Sequence, residues 1–121
     1  MRQCLVVDDS SVVRKVARRI FEDLGFSVGE AEDGEQALES CRRGMPDMIM
    51  VDWNMPRVSG VEFLTALRAA DGGDRPMVLF CASENDAGHI TRALRAGADD
   101  YLLKPFNREI IEAKLQEVGI L

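Results

Sequence analysis

Met48-Ile-Met-Val-Asp52-Trp-Asn-Met-Pro56 is the stretch of sequence that decides the fold. Its first four residues form a short apolar run, which predicts a strand buried on both faces. The run ends at an acid, Asp52, and loop residues follow it. A carboxylate at the end of a buried strand is costly unless it is paired or takes part in chemistry. Asp52 is therefore the first candidate for a functional residue.

A second acidic end follows the apolar run at residues 4–7, which stops at Asp8-Asp9. If both runs are strands of one parallel sheet, their three carboxylates emerge at the same edge and repel one another unless a cation lies between them. Carboxylate oxygens suit magnesium, whereas no spacing of Cys and His residues indicates zinc. The sequence thus predicts a magnesium site at Asp8, Asp9 and Asp52. The alternative for Asp8 and Asp9 is that they only cap the next helix.

The remainder of the chain alternates apolar runs with helical patterns. The runs predicted as strands cover residues 4–7, 26–31, 48–51, 77–81 and 101–103, and a helix is predicted after each. This alternation is typical of an α/β fold in which helices cover both faces of a parallel sheet. Such a sheet commonly has the strand order 2-1-3-4-5 and binds its ligand between strands 1 and 3, where the acids are predicted.

Length and composition narrow the class of protein. The 121 residues fit one domain spanning residues 1–121, with 46% hydrophobic and 30% charged residues as in ordinary globular proteins. The net charge of −6 argues against a nucleic-acid partner. No apolar run is long enough to cross a bilayer and no signal peptide precedes the first strand, so we expect a cytoplasmic protein with no membrane partner.

Two residue groups are predicted to have no chemical role. Basic residues on the first helix are expected to form a solvated face; they are Arg14, Lys15, Arg18 and Arg19. The cysteines are odd in number and widely spaced, which indicates buried free thiols in a reducing compartment; they are Cys4, Cys41 and Cys81.

Lys104 directly follows the fifth apolar run, so its ammonium group is expected at the same edge as the acids. A fixed cation beside a carboxylate and a metal ion suits phosphoryl transfer, which depends mainly on positioning and charge neutralisation. Asp52 is then the candidate nucleophile, forming an aspartyl phosphate. The alternative is a structural ion pair between Lys104 and one of the acids.

Four motifs together resemble the receiver domain of two-component response regulators. They are Val7-Asp8-Asp9-Ser10, Val51-Asp52 with Met55-Pro56, Ala96-Gly97-Ala98-Asp99-Asp100-Tyr101, and Lys104-Pro105-Phe106. The resemblance covers the whole chain and implies a flavodoxin-like (CheY-like) fold in a stand-alone, single-domain regulator. It implies magnesium held by Asp8, Asp9, Asp52 and the backbone carbonyl of Asn54. It also implies phosphorylation of Asp52 by a histidine kinase or phosphotransfer protein, and a cis peptide bond before Pro105.

One position departs from the family pattern. By spacing from Lys104, the residue that is usually a Thr or Ser contacting the phosphoryl group is Ala82, and Ser83 follows it. Either Ser83 substitutes through a shifted loop, or the link between the phosphoryl group and Tyr101 is weak or built differently. We favour a weak link, because adjacent strand residues face opposite ways. Tyr101 corresponds to the family's switch aromatic, which turns inward or outward with phosphorylation.

The functional prediction is a phosphoacceptor switch, not an enzyme, that changes the surface of the fourth helix, fifth strand and fifth helix. Candidate contact residues there are Arg92, Arg95, Tyr101, Arg108 and Lys114. We expect a monomer or weak dimer that signals to a downstream protein or passes the phosphoryl group onward. One alternative is a phosphorylation-independent adaptor, which Ala82 favours. Another is a magnesium-dependent aspartyl-phosphate phosphatase, although Asn54 stands where such enzymes carry a second Asp.

Overall fold

The computed structural model describes residues 2–83 and 85–121. The strands are β1 (Gln3–Val7), β2 (Ser27–Ala31), β3 (Met48–Asp52), β4 (Met77–Ala82) and β5 (Asp100–Leu103). The helices are α1 (Ser11–Asp23), α2 (Gly34–Arg43), α3 (Gly60–Ala69), α4 (Ala87–Ala96) and α5 (Arg108–Glu117). Among the described residues, no helix combines the length and apolar character that spanning a membrane requires.

All five strands lie parallel in one sheet, in the order β2-β1-β3-β4-β5. The predicted fold class and strand order are therefore confirmed. Val7 is in register with Val51, so the residues that follow them, Asp8 and Asp52, leave neighbouring strands at the same edge. The sheet thus delivers the acids to the crevice between β1 and β3.

The strand β3 is buried along its whole length because helices cover both faces of the sheet. Met48 and Met50 face a core built with α1 and α5, whereas Ile49 and Val51 face a core built with α2, α3 and α4. This strict alternation follows from the two-residue period of a strand. Asp52 therefore lies on the same face of the sheet as Met48 and Met50, at its carboxyl edge.

The strand boundaries differ slightly from the sequence prediction. β2 begins at Ser27, because Phe26 instead packs edge-on against Phe21, with ring centroids 5.6 Å apart. β5 begins one residue earlier than predicted, at Asp100, and β4 extends to Ala82. The three cysteines are buried and free, as predicted.

The solvated basic face predicted for α1 is wrong in part. Arg14 and Arg18 both form ion pairs with Glu30 of β2, at N···O distances of 3.1 and 2.9 Å. The side chain of Arg14 is only 12% exposed. The reason is tertiary: β2 lies next to β1 and presents Glu30 towards α1. Lys15 and Arg19 are exposed, as expected of a solvated face.

Arg68, near the end of α3, forms several hydrogen bonds at the edge of the sheet opposite the acids. Its guanidinium donates hydrogen bonds to the carbonyl oxygens of Gly97 (2.7 and 3.0 Å), Gly73 (2.9 Å) and Pro76 (2.9 Å). It also donates to the Asp99 carboxylate at 3.1 Å. One side chain therefore joins the ends of α3 and α4 to the start of β4.

We expect Arg68→Ala to lower the free energy of unfolding by about 2–3 kcal/mol, since it leaves several partly buried carbonyl groups without a donor. Urea denaturation measures the change. Arg42→Ala is the matched control, because the Arg42 side chain is 70% exposed and pairs with Glu39 in its own helix. Its expected cost is below about 0.5 kcal/mol. Equal effects of the two substitutions would contradict the role given to Arg68.

Candidate functional site

The structure brings the three predicted acids together. One carboxylate oxygen from each of Asp8, Asp9 and Asp52 lies within 4.8 Å of the other two. Asp8 and Asp52 are 3% and 6% exposed, whereas Asp9 is exposed to solvent. The cluster therefore has two buried carboxylates and one at the surface, all at the carboxyl edge of the sheet.

Asp8 is held by the first turn of α1 without capping that helix. The helix cap is Ser10, whose Oγ accepts a hydrogen bond from the Val13 backbone N–H. Asp8 Oδ1 accepts from the Ser10 backbone N–H at 2.9 Å, and Arg14 Nη1 donates to the Asp8 carbonyl oxygen at 2.7 Å. These contacts orient the carboxylate and leave its second oxygen directed to the site.

Lys104 lies between the two buried acids. Its Nζ is 3.0 Å from Asp8 Oδ2 and 2.9 Å from Asp52 Oδ1. The Lys104 backbone N–H donates to the carbonyl oxygen of Ala82 at 2.8 Å, and the peptide bond to Pro105 is cis, as the resemblance implied. Burial lowers the pKa of Lys104, but bonds to Asp52 and Asp8 raise it by more, so Lys104 is held as a cation.

The electrostatic environment of Asp52 favours binding of an additional cation. Burial raises the pKa of Asp52, the hydrogen bond from Lys104 lowers it, and the charges of Asp8 and Asp9 raise it again. The net result is a pKa above the ordinary value, so the ionised carboxylate is less stable here than in water. A cation bound among the acids would relieve this repulsion.

The donor set fits a hard divalent cation. Three carboxylate oxygens lie within reach of one another, and within residues 2–83 and 85–121 no hydrogen bond is donated to the carbonyl oxygen of Asn54. Oxygen donors of this kind suit Mg²⁺, which also retains water and takes phosphate oxygens as ligands. Asp8, Asp9, Asp52 and the Asn54 carbonyl would hold the ion, which would supply charge neutralisation to a bound phosphoryl group.

The loop after β3 is fixed tightly to its surroundings. The Trp53 N–H donates to the Cys81 carbonyl oxygen at 3.1 Å, and the Gly60 N–H donates to the Trp53 carbonyl oxygen at 3.2 Å. A Cβ atom on Gly60 would lie 2.5 Å from the carbonyl oxygen of Asp52 and 3.0 Å from the Trp53 Cα. The start of α3 therefore packs directly on the backbone of the candidate acceptor.

The remaining predicted residues lie further along the same edge. Ala82 is fully buried at the end of β4. The backbone N–H and the hydroxyl of Ser83 both donate to Asp86 Oδ2, so this hydroxyl is already engaged at the start of α4. The ring of Tyr101 is partly exposed, and the Lys114 ammonium lies over it, 5.2 Å from its centroid. The roles predicted for these residues stay predictions.

One contact at this edge was not predicted from the sequence. His89, in the first turn of α4, stacks on Trp53 with ring centroids 4.1 Å apart and an interplanar angle of 24°. The sequence offered a single Trp next to the acceptor and a single His, but nothing in their spacing indicated that the two rings meet.

We expect Mg²⁺ to stabilise the fold and Asp9→Asn to remove most of that effect. At a Mg²⁺ concentration about 100 times its Kd, binding contributes about 2.7 kcal/mol, or a rise in Tm of about 10 °C. Asp74→Asn removes the same charge at an exposed position before β4, at the opposite edge, and should keep the full rise. Thermal unfolding with and without Mg²⁺ provides the measurement. An equal rise in both variants would exclude Asp9 as a ligand.

Comparison with known proteins relates this chain to one family. The model of the response regulator receiver domain matches residues 4–116. The chemotaxis protein CheY of Pseudomonas aeruginosa is 35% identical over 115 residues, covering 94% of this chain and 93% of the relative. The chemotaxis protein CheY-3 of Vibrio cholerae is also 35% identical over 115 residues, covering 94% of this chain and 88% of the relative.

Solved structures agree with this relationship. The chemotaxis response regulator CheY4 of Vibrio cholerae has a TM-score of 0.91 at 33% identity, with 98% of both chains covered. The receiver domain of a sensor histidine kinase of Pseudomonas aeruginosa, solved with a magnesium ion coordinated in its active site cleft, has a TM-score of 0.88 at 31% identity, again with 98% of both chains covered. The family model and these relatives span nearly the whole chain, and the chain therefore belongs to the response regulator receiver domains, as a signalling protein of the CheY type.

Proposed function

We propose that this receiver domain accepts a phosphoryl group on Asp52 in a two-component phosphorelay, with Mg²⁺ as its cofactor. The observation that carries the proposal is the position of Lys104 Nζ, within 3.0 Å of both Asp8 and Asp52 in a cluster of three acids. A nucleophilic carboxylate, a fixed ammonium group and an oxygen donor set for a divalent cation thus meet at one place. The magnesium-bound receiver domain among the structural relatives supports the same assignment of the cofactor.

The chemistry follows from these groups. An Asp52 carboxylate oxygen attacks the phosphorus of a phosphohistidine, forming an O–P bond while the P–N bond breaks. The imidazole nitrogen keeps the electron pair of the broken bond, and the ring takes up one proton from solvent, which leaves it a neutral imidazole. Lys104 offers its ammonium to the oxygens of the transferred group, and Asp8 and Asp9 hold the cation that offsets their charge. Hydrolysis of the acyl phosphate returns Asp52 to its carboxylate form.

The donor we propose is a histidine kinase or a phosphotransfer protein, and the output is contact with a downstream protein or onward transfer of the phosphoryl group. The domain would work in the cytoplasm as a monomer or weak dimer. The contact surface would combine α4, β5 and α5, with Arg92, Arg95, Tyr101 and Lys114 as contact residues. Arg108 and Lys114 already form ion pairs: Arg108 Nη1 lies 3.5 Å from Asp23 Oδ2 at the end of α1, and Lys114 Nζ lies 3.3 Å from Asp100 Oδ1 and 3.4 Å from Glu117 Oε2.

A phosphorylation-independent adaptor is the second candidate function, and Ala82 is the observation that favours it. The residue carries no hydroxyl to sense a phosphoryl group, and the hydroxyl of Ser83 is engaged with Asp86. Ala82→Thr restores the missing group. If the link from the phosphoryl group is weak, the variant should bind its output partner more tightly than wild type after phosphorylation. No gain in binding would contradict a weak link at this position.

The proposal is tested by titrating Mg²⁺ and then beryllofluoride, a mimic of the phosphoryl group, while Trp53 emission is recorded. Trp53 is the only tryptophan and adjoins Asp52, so its emission reports the site. We expect two saturable changes in wild type and no second change in Asp52→Asn, which lacks the anionic acceptor. A response to Mg²⁺ alone in wild type would exclude phosphoryl acceptance at Asp52. The phosphatase alternative predicts instead turnover of a small phosphate ester.

A further inference from the structure

The stack between Trp53 and His89 joins the acceptor loop to α4. Trp53 is the residue after Asp52, and His89 is the third residue of α4. Their rings lie nearly parallel, with centroids 4.1 Å apart. Both residues are partly buried, so the contact lies at the rim of the site, between the loop that carries the acceptor and the helix beside it.

The Trp53 half of this contact is rigid. Backbone hydrogen bonds fix Trp53 to Cys81 on β4 and to Gly60 at the start of α3. The close approach of Gly60 to the Asp52 carbonyl oxygen leaves the loop little room to shift alone. A displacement caused at the Asp52 side chain is therefore transmitted to the indole through one peptide unit, because the loop has little room to move independently.

The α4 half is lightly held. All of α4 is described, and only Ala93 among its residues is buried. Within the part of the chain that the structure describes, the side chain of its N-cap residue, Asp86, makes no capping hydrogen bond to the helix. Asp86 instead accepts from Ser83, which lowers the pKa of this acid, and Trp53 and His89 have smaller effects of the same sign. The first turn of α4, which has no buried residue, therefore moves at low cost, while Arg68 holds the opposite end of the helix through the Gly97 carbonyl oxygen.

Because residue 82 is Ala, it offers no hydroxyl that could link Asp52 directly to the first turn of α4. Its side chain is a buried methyl group that neither donates nor accepts a hydrogen bond. The aromatic stack is a contact that directly joins the acceptor loop to the first turn of α4. We propose that His89 acts as a positioning residue, and that the Trp53–His89 stack couples occupation of Asp52 to the position of α4. This inference rests on the proposed function.

The test compares two signals in the full chain with Mg²⁺ and beryllofluoride. Fluorine NMR reports bound beryllofluoride, and amide NMR reports the shift changes that binding causes in α4. Wild type should show both signals. His89→Ala should still bind beryllofluoride but lose most of the α4 shift changes. Ala forms helices better than His, so the substitution does not unwind α4 by itself.

Two further variants separate the stack from other effects. His89→Phe keeps a planar ring for stacking and should keep most of the α4 response. Gly88→Ala alters the same helical turn, where an added Cβ meets nothing within 4 Å, and should respond as wild type does. Trp53→Leu removes the other ring and should reproduce the loss, so the outcome does not depend on the folding of one variant.

The outcomes distinguish this inference from the function on which it rests. A full α4 response in His89→Ala and in Trp53→Leu would overturn the coupling role while leaving phosphoryl acceptance intact. A loss of equal size in Gly88→Ala would also overturn it, because the response would then follow helix stability. Wild type without bound beryllofluoride would overturn the proposed function itself, and the coupling with it.

Discussion

Asp52→Asn should abolish covalent phosphorylation of the chain. Incubated with Mg²⁺ and a small acyl phosphate, wild type should gain the mass of one phosphoryl group and the variant should gain none. The reason is chemical: the amide oxygen of Asn carries no negative charge and cannot form the mixed anhydride that a carboxylate forms. The substitution changes little else, because Asn has nearly the shape of Asp and can still accept a hydrogen bond from Lys104.

The control for this experiment is Asp74→Asn. Asp74 is exposed and lies before β4, at the opposite edge of the sheet, so the variant has the same change in charge far from the site. It should be phosphorylated to the wild-type extent. A mass gain in Asp52→Asn would show that another acid is the acceptor, and peptide mapping of the modified chain would identify it. Intact mass spectrometry under mild conditions preserves the acyl phosphate during the measurement.

Gly60→Ala should lower the free energy of unfolding by about 3 kcal/mol and weaken Mg²⁺ binding at the same time. The added Cβ would lie 2.5 Å from the Asp52 carbonyl oxygen, 2.9 Å from Phe80 Cε1 and 3.0 Å from the Trp53 Cα. Two of these three atoms belong to backbone, which yields less readily than a flexible side chain. Overpacking of this kind costs about 1–3 kcal/mol or more, which exceeds the helix propensity that Ala adds.

Because the strain falls on the peptide unit that carries Asp52, stability and cation affinity should fall together. Chemical denaturation measures the first, and thermal shift with increasing Mg²⁺ measures the second. Gly44→Ala is the matched control, since Gly44 has an extended backbone and a Cβ there meets nothing within 4 Å. A Gly60→Ala variant as stable as Gly44→Ala would show that α3 does not pack on the acceptor as described.

The sequence predicted the sheet and the place of the acids for a simple physical reason. Buried parallel strands appear as short apolar runs, and Asp8 and Asp52 end two such runs that the strand order makes neighbours. Lys104 follows a third such run, and the family motifs then added the cis peptide bond. These features depend on local patterns and on one topological rule, so no knowledge of side-chain packing was needed.

Side-chain contacts between different elements could not be predicted from the sequence. The ion pairs of Arg14 and Arg18 with Glu30 require that β2 lie beside α1, and a basic helix face gives no sign of that partner. The stack of Trp53 on His89 depends in the same way on how α4 meets the loop after β3. In both cases the partner residue lies on a different element, and its orientation follows only from the assembled sheet.

The charges at the carboxyl edge have a consequence for ion selectivity. Three carboxylates and one ammonium group leave a formal charge of −2, which one divalent ion balances and one monovalent ion does not. Potassium or sodium at cellular ionic strength can screen the exposed Asp9, but it screens the buried Asp8 and Asp52 far less. A site of this charge would favour divalent over monovalent cations, and we expect Mg²⁺ to bind there even in concentrated salt.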